Sequence, residues 1–229
     1  MSVYLWIDLL TLLGPLALSF DRRVRFWRSW GALFPSILVA GGLHAVWDAL
    51  VAARGDWGFN PAYVLPVRLF GLPLEELLFF VAVPYACVFV YEAGRVLLRE
   101  RSVAFPRFLS FAIAGVAAAT AFVFRGQHYT FLVCLAFGGF FLLAGIAAPG
   151  LLRTSSFWIG QLLGYLPFLV VNGILTALPV VTYDRGAIWG VRAYTIPLED
   201  FLYSFTLVGL SILFYHLFRS LASDRRKAA

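Results

Sequence analysis

The sequence predicts an all-α polytopic membrane protein: seven transmembrane helices, arranged as two parallel three-helix repeats joined by a linking helix. Three observations carry this expectation. Apolar residues make up 62% of the 229 positions and charged residues 13%, with a mean hydropathy of +0.86, too oily for a water-soluble domain of this size. Apolar runs of spanning length follow one another along the whole chain. One short phrase, with two adjacent carboxylates behind a proline, occurs twice at a spacing of 124 residues.

In chain order the apolar runs cover 3–20, 30–53, 73–91, 103–124, 129–150, 157–181 and 197–218, and about 20 helical residues cross a bilayer core. The first run has no basic leader and is followed by Arg22, Arg23, Arg25 and Arg28, the reverse of a secretory signal, so it is expected to remain as helix 1. Helix 2 carries His44, Trp47 and Asp48 towards its end. Gly55-Asp56-Trp57-Gly58-Phe59-Asn60-Pro61 then reads as a turn folding back over the helix mouths. Helix 3 opens on Pro73-Leu74-Glu75-Glu76-Leu77-Leu78-Phe79. Arg95, Arg99, Arg101 and Arg107 lie between it and helix 4. Arg153 follows helix 5, and helix 6 carries Asn172. Thr182-Tyr183-Asp184-Arg185-Gly186 makes a second turn. Helix 7 opens on Pro197-Leu198-Glu199-Asp200-Phe201-Leu202-Tyr203 and is followed by Arg219, Arg225, Arg226 and Lys227. Thirteen of the 18 basic residues thus fall on one side of the membrane. The positive-inside rule makes that side cytoplasmic, with the N-terminus outside and the C-terminus in the cytoplasm of a multi-pass cell-membrane protein.

Shifting helices 1–3 by 124 residues lands on helices 5–7. At that offset Asp48 matches Asn172, Asn60 matches Asp184, Phe59 matches Tyr183, Tyr91 matches Tyr215 and Arg95 matches Arg219. Polar positions stay within narrow chemical sets while apolar ones drift, the mark of a weak internal duplication. The expected division is a first repeat over 1–100, a linking helix over 101–126 and a second repeat over 127–229. Four crossings separate the starts of helices 1 and 5, so the repeats are expected to be parallel, about an axis along the membrane normal. Both acid pairs then lie at one depth, with Asp48 and Asn172 close by, as two half-sites facing each other.

Acids are costly inside a membrane, and mid-helix charge is nearly absent here apart from Asp8. A proline followed by acids is also an ordinary helix start. It explains one copy of the phrase better than it explains the retention of both acids in a second. Two carboxyls close together in a low dielectric cannot both ionise cheaply, so one keeps its proton and can donate it. Aromatic faces near the acids (Phe79, Phe80, Tyr203, Trp57) suit a cationic intermediate. His44 lies one turn before Asp48 on the same helix face and reads first as a buried, hydrogen-bonded histidine. Cys87 and Cys134 read as packing residues, and no Cys/His cluster offers a metal site. No GxGxxG opens a βαβ unit, so a bound dinucleotide is not expected. No basic stripe with interleaved aromatics supports a nucleic-acid partner. The only lysine, Lys227, follows the last helix, which argues against a retinal Schiff base.

Pro-Leu-Glu-Glu-Leu-Leu-Phe-Phe over 73–80, the preceding Trp57-Gly58-Phe59-Asn60-Pro61, Trp47-Asp48 and the tandem three-helix repeat together resemble the small integral-membrane lycopene cyclases, in their fused two-repeat form. The second copy departs from the motif at Asp200, Tyr203 and Ser204 and lacks Trp-Gly-Phe-Asn. The resemblance implies a lycopene β-cyclase: redox-neutral acid/base closure of the ψ end groups to β-ionone rings, through γ-carotene to β-carotene, with no cofactor. It implies a carotenoid substrate taken from the bilayer, and other enzymes of carotenoid synthesis as partners. Glu75, Glu76, Glu199, Asp200 and Asp48 become the candidate acids and bases. Phe79, Phe80, Tyr203, Trp57, Asn60, Asn172, Asp184 and His44 become candidate substrate- or cation-stabilising groups. Alternatives are a cyclase of another carotenoid or ring type (C50 chains, or ε or γ rings) and a proton-coupled transporter, which would also use membrane acids and repeats.

Overall fold

The computed structural model describes residues 2–228, with side chains as far as residue 223; the Arg225, Arg226 and Lys227 side chains, part of the basic group above, lie outside that range. The described chain forms seven α-helices: α1 (Val3–Leu18), α2 (Trp30–Arg54), α3 (Leu74–Leu97), α4 (Arg107–Val123), α5 (His128–Ala147), α6 (Ser155–Ala177) and α7 (Leu198–Ala228). Of these, α2, α3, α5, α6 and α7 are long and apolar enough to cross a membrane, while α1 and α4 are shorter apolar helices of 16 and 17 residues. Large apolar side chains also cover the exterior: Leu38 is 76% exposed and Val123 75%. An outer surface of this kind is suited to lipid rather than water.

Prolines account for several shifts in helix bounds, while α3 and α7 continue past their apolar runs to Leu97 and Ala228, so the backbone of Lys227 falls within the last helix. The apolar run from 103 becomes helical only at Arg107, because Pro106 caps α4 in an extended conformation. The run to 181 ends as helix at Ala177, two residues before Pro179. Pro73 and Pro197 are not the first helical residues of α3 and α7; each closes a short strand, and the helix begins one residue later.

Those strands are a departure from the expected all-helical reading. There are six in the described chain, of two or three residues: β1 (Trp57–Phe59), β2 (Arg68–Leu69), β3 (Leu72–Pro73), β4 (Val181–Tyr183), β5 (Arg192–Ala193) and β6 (Ile196–Pro197). Strands this short leave no period-2 pattern to read. β2 and β3 form a hairpin turning at Phe70 and Gly71, both at positive φ, the conformation that a tight two-residue hairpin demands. β5 and β6 form the matching hairpin before α7. β1 and β4 pair with each other, antiparallel, with Gly58 opposite Thr182. These two residues match at the 124-residue shift, so the ladder is centred on equivalent positions, as a local twofold axis through it would require.

Helix packing is symmetric under the same shift. α1 lies on α3 and α5 on α7, while α2 packs on α7 and α6 on α3. α4 packs along α5, where a Cβ on Gly145 would sit 2.8 Å from the Ser110 Cβ, so the close approach needs glycine. At the end away from the hairpins, Glu92 is buried and pairs with both Arg95 (2.9 Å) and Arg219, joining α3 to α7.

Candidate active site

Each of α3 and α7 begins with adjacent acids, and successive helical residues point about 100° apart. The two members of a pair therefore do different things. Glu75 accepts the Leu65 amide (2.7 Å) and the Ser2 hydroxyl; Glu199 accepts the Trp189 amide (2.7 Å) and the Thr130 hydroxyl (2.6 Å). Each ties the loop before its helix, and the start of α1 or α5, to the helix mouth. Neither is among the residues that line the cavity faced by Glu76 and Asp200.

Glu76 and Asp200 turn the other way, into a cavity of about 270 Å³ between α1, α3, α6 and α7. Asp48 of α2 joins them: its carboxyl abuts that of Glu76 and lies within charge range of Asp200. All three are at most 5% exposed. Among the described residues lining the cavity none is Lys, Arg or His. Three buried acids without a counter-cation cannot all be ionised, so the cluster holds at least one proton.

Tyrosines organise the cluster. Tyr4 donates to Glu76 (2.6 Å) and Tyr203 to Asp48 (2.9 Å). Asp200 accepts three donors: Tyr129 (2.9 Å), Tyr183 (2.7 Å) and the Asn172 amide (2.8 Å). The second oxygen of Asp48 is buried and meets no donor apart from the Glu76 carboxyl against which Asp48 lies. Asp200 is thus well solvated by donors, while Glu76 and Asp48 form a pair with capacity to spare.

The structure brings Asp48, Glu76 and Asp200 together with Phe79, Trp57, Tyr203 and Asn172, all of which line the cavity. It places the other expected residues elsewhere. Phe80 is buried against Phe79 and His44, outside the lining. His44 bonds the Ala40 carbonyl (2.8 Å) and packs on Trp47 and Tyr203. Asn60 and Asp184 cap their own turns, accepting from the Ala62 and Gly186 amides. The sequence does not single out Tyr4, Tyr129 and Tyr183 as acid partners. The Phe59/Tyr183 match was a signal for one of them; Tyr4 and Tyr129 meet their acids across 72 and 71 residues of sequence, with no local pattern. In the sequence Asp8 stands out only as an isolated charge. It is 3% exposed, with both oxygens unpartnered, on the α1 face that also carries Tyr4, Thr11 and Pro15.

The lycopene cyclase family model matches the chain over residues 1–93 and 126–218. No curated protein and no solved structure matches it.

Proposed function

Because the chain belongs to the lycopene cyclase family, and so is a carotenoid cyclase, we propose that it closes the ψ end groups of lycopene to β-ionone rings at the Asp48–Glu76–Asp200 cluster. The observation that supports this best is the gathering of three cation-free carboxyls at the aromatic-lined end of an apolar cavity. In the proposed reaction protonated Glu76 gives its proton to the terminal double bond of the substrate. The next double bond attacks the resulting cation, closing the ring. Asp48, whose second oxygen meets no donor apart from the Glu76 carboxyl, takes the ring proton and completes the new double bond. Proton gain and loss balance, no electron is transferred, and release of the ring proton from Asp48 to solvent, with uptake of a solvent proton at Glu76, resets the pair. Asp200, held by three donors, stays ionised and faces the positive charge with Phe79 and Trp57. Asp48 and Asn172 occupy equivalent positions, and the amide has become a donor to Asp200.

The same reading places the two matched segments as parallel repeats about an axis along the membrane normal, with seven spans, the hairpin end outside and the C-terminus in the cytoplasm. The repeats are 1–100 and 127–229, with 101–126 linking them. The centred β1–β4 ladder and the symmetric helix packing support that layout.

The direct test is expression in a lycopene-accumulating bacterium with chromatography of the pigments. Conversion of lycopene to γ- and β-carotene is expected; unchanged lycopene at normal membrane abundance contradicts the proposal. Rings of another isomer would keep the chemistry and move the base. The purified chain in liposomes is also expected to work without added NAD(P)H or flavin, since no dinucleotide fingerprint occurs in the sequence. A strict requirement for reduced flavin would refute that expectation.

Glu75 and Glu199 are assigned positioning roles. Glu75→Gln keeps an acceptor for both donors, which meet the same oxygen, but removes the charge that strengthens each bond, a loss of about 1 kcal/mol apiece. The expected result is a lower melting temperature, with ring formation per folded molecule reduced less than about tenfold. Thermal unfolding in detergent, set beside specific activity, checks this. Full stability with abolished turnover would instead place Glu75 in the chemistry.

A further inference from the structure

The cavity is one-sided although the chain is duplicated. From the acids it follows α3 from Glu76 to Val90, about 21 Å at 1.5 Å per residue. Five of the residues that bound it are smaller than their equivalents 124 positions away. Ser204 lines the cavity where repeat one has buried Phe80, and Ala86 and Val90 line it where repeat two has Leu210 and Phe214. On α6, Gly164 and Val171 stand where α2 has Ala40 and Trp47. Beside α5 and α7, by contrast, Phe140, Phe141 and Phe205 pack on one another. The cavity also reaches the exterior. Leu163 and Pro167 of α6 line it and are exposed on the apolar outer surface, Leu163 at 41%; Thr11 and Pro15 of α1 line it too, and α1 and α6 barely touch.

We propose that this arm seats one linear polyprenoid chain, which passes from the bilayer through the seam between α1 and α6 and lies along α3 with its reactive end at Glu76. Ala86, Val90 and Ser204 set the bore. The identity of the reactive end rests on the cyclase reading above. One arm serving one acid cluster means that the two ends of a carotenoid are closed in separate visits. The drift of repeat two away from the family phrase at Ser204 is then a gain of room.

Binding and turnover are read separately, on the full chain in detergent. In a lycopene-producing host the Glu76→Gln chain is expected to co-purify with lycopene, and adding Val90→Phe to lower bound pigment per protein about tenfold or more, since the extra ring overfills the arm. In the otherwise unaltered chain, Val90→Phe is expected to lose about tenfold or more in ring formation from lycopene. On a short acyclic polyene with the same end group it stays within about twofold, because the block lies far from the acids. Ala86→Leu, nearer the acids, is expected to impair both substrates. Unchanged lycopene retention or turnover in Val90→Phe overturns the arm, and so does an equal loss on short and long substrates. A chain that retains lycopene, loses it with Val90→Phe and closes no ring on either substrate contradicts the cyclase reading and leaves the arm standing.

Discussion

Glu76→Gln is expected to abolish ring formation while the protein still folds and inserts. An amide fills the space of the carboxyl and can still accept from Tyr4, so packing is preserved. It has no proton to give to a double bond. Loss of a general acid costs about 10²–10⁴-fold, and here the same group also starts the cation on which everything later depends. Pigment analysis at matched membrane abundance reads the effect. Near-normal γ- and β-carotene from this variant would remove Glu76 from the chemistry.

Asp48→Asn has the second largest expected effect, about 10²-fold or more. The substitution makes α2 match α6, where Asn172 already stands, so the fold has an equivalent of the new residue in a comparable setting. What is lost is the base beside Glu76. Tyr203→Phe provides the contrast. It removes one donor to Asp48, an interaction with a net worth of about 1 kcal/mol, and is expected to slow turnover only several-fold. Equal losses in the two variants would mean that Asp48 acts through Tyr203 rather than as the base.

Most of the helical framework was legible in the sequence because spanning runs and charged loops are driven by solvent, not by partners. Helix ends shifted where Pro106 and Pro179 cut into apolar runs, since hydropathy does not register a missing amide hydrogen. The acid pairs were legible as a repeated phrase, yet which member faces the cavity depends on rotation about α3 and α7. That rotation is fixed by contacts as distant as Ser2 with Glu75 and Tyr4 with Glu76. The same rotation separates Phe79, in the cavity, from Phe80, outside it. Tyr4 and Tyr129 sit near the starts of ordinary apolar helices and become acid partners only when α1 meets α3 and α5 meets α7. The change from Phe80 to Ser204 reads as decay of a motif when only the phrase is compared. Its meaning is a volume, which exists only between four packed helices.

The central claim, proton-driven and redox-neutral ring closure, is tested most directly by running the reaction in D2O and weighing the product. If Glu76 exchanges its proton with solvent and delivers it to the substrate, each ring closed carries one solvent deuteron, so γ-carotene gains one mass unit and β-carotene two relative to the reaction in H2O. Products that form at the normal rate without deuterium, or that take up label from a deuterated hydride donor instead, would contradict it.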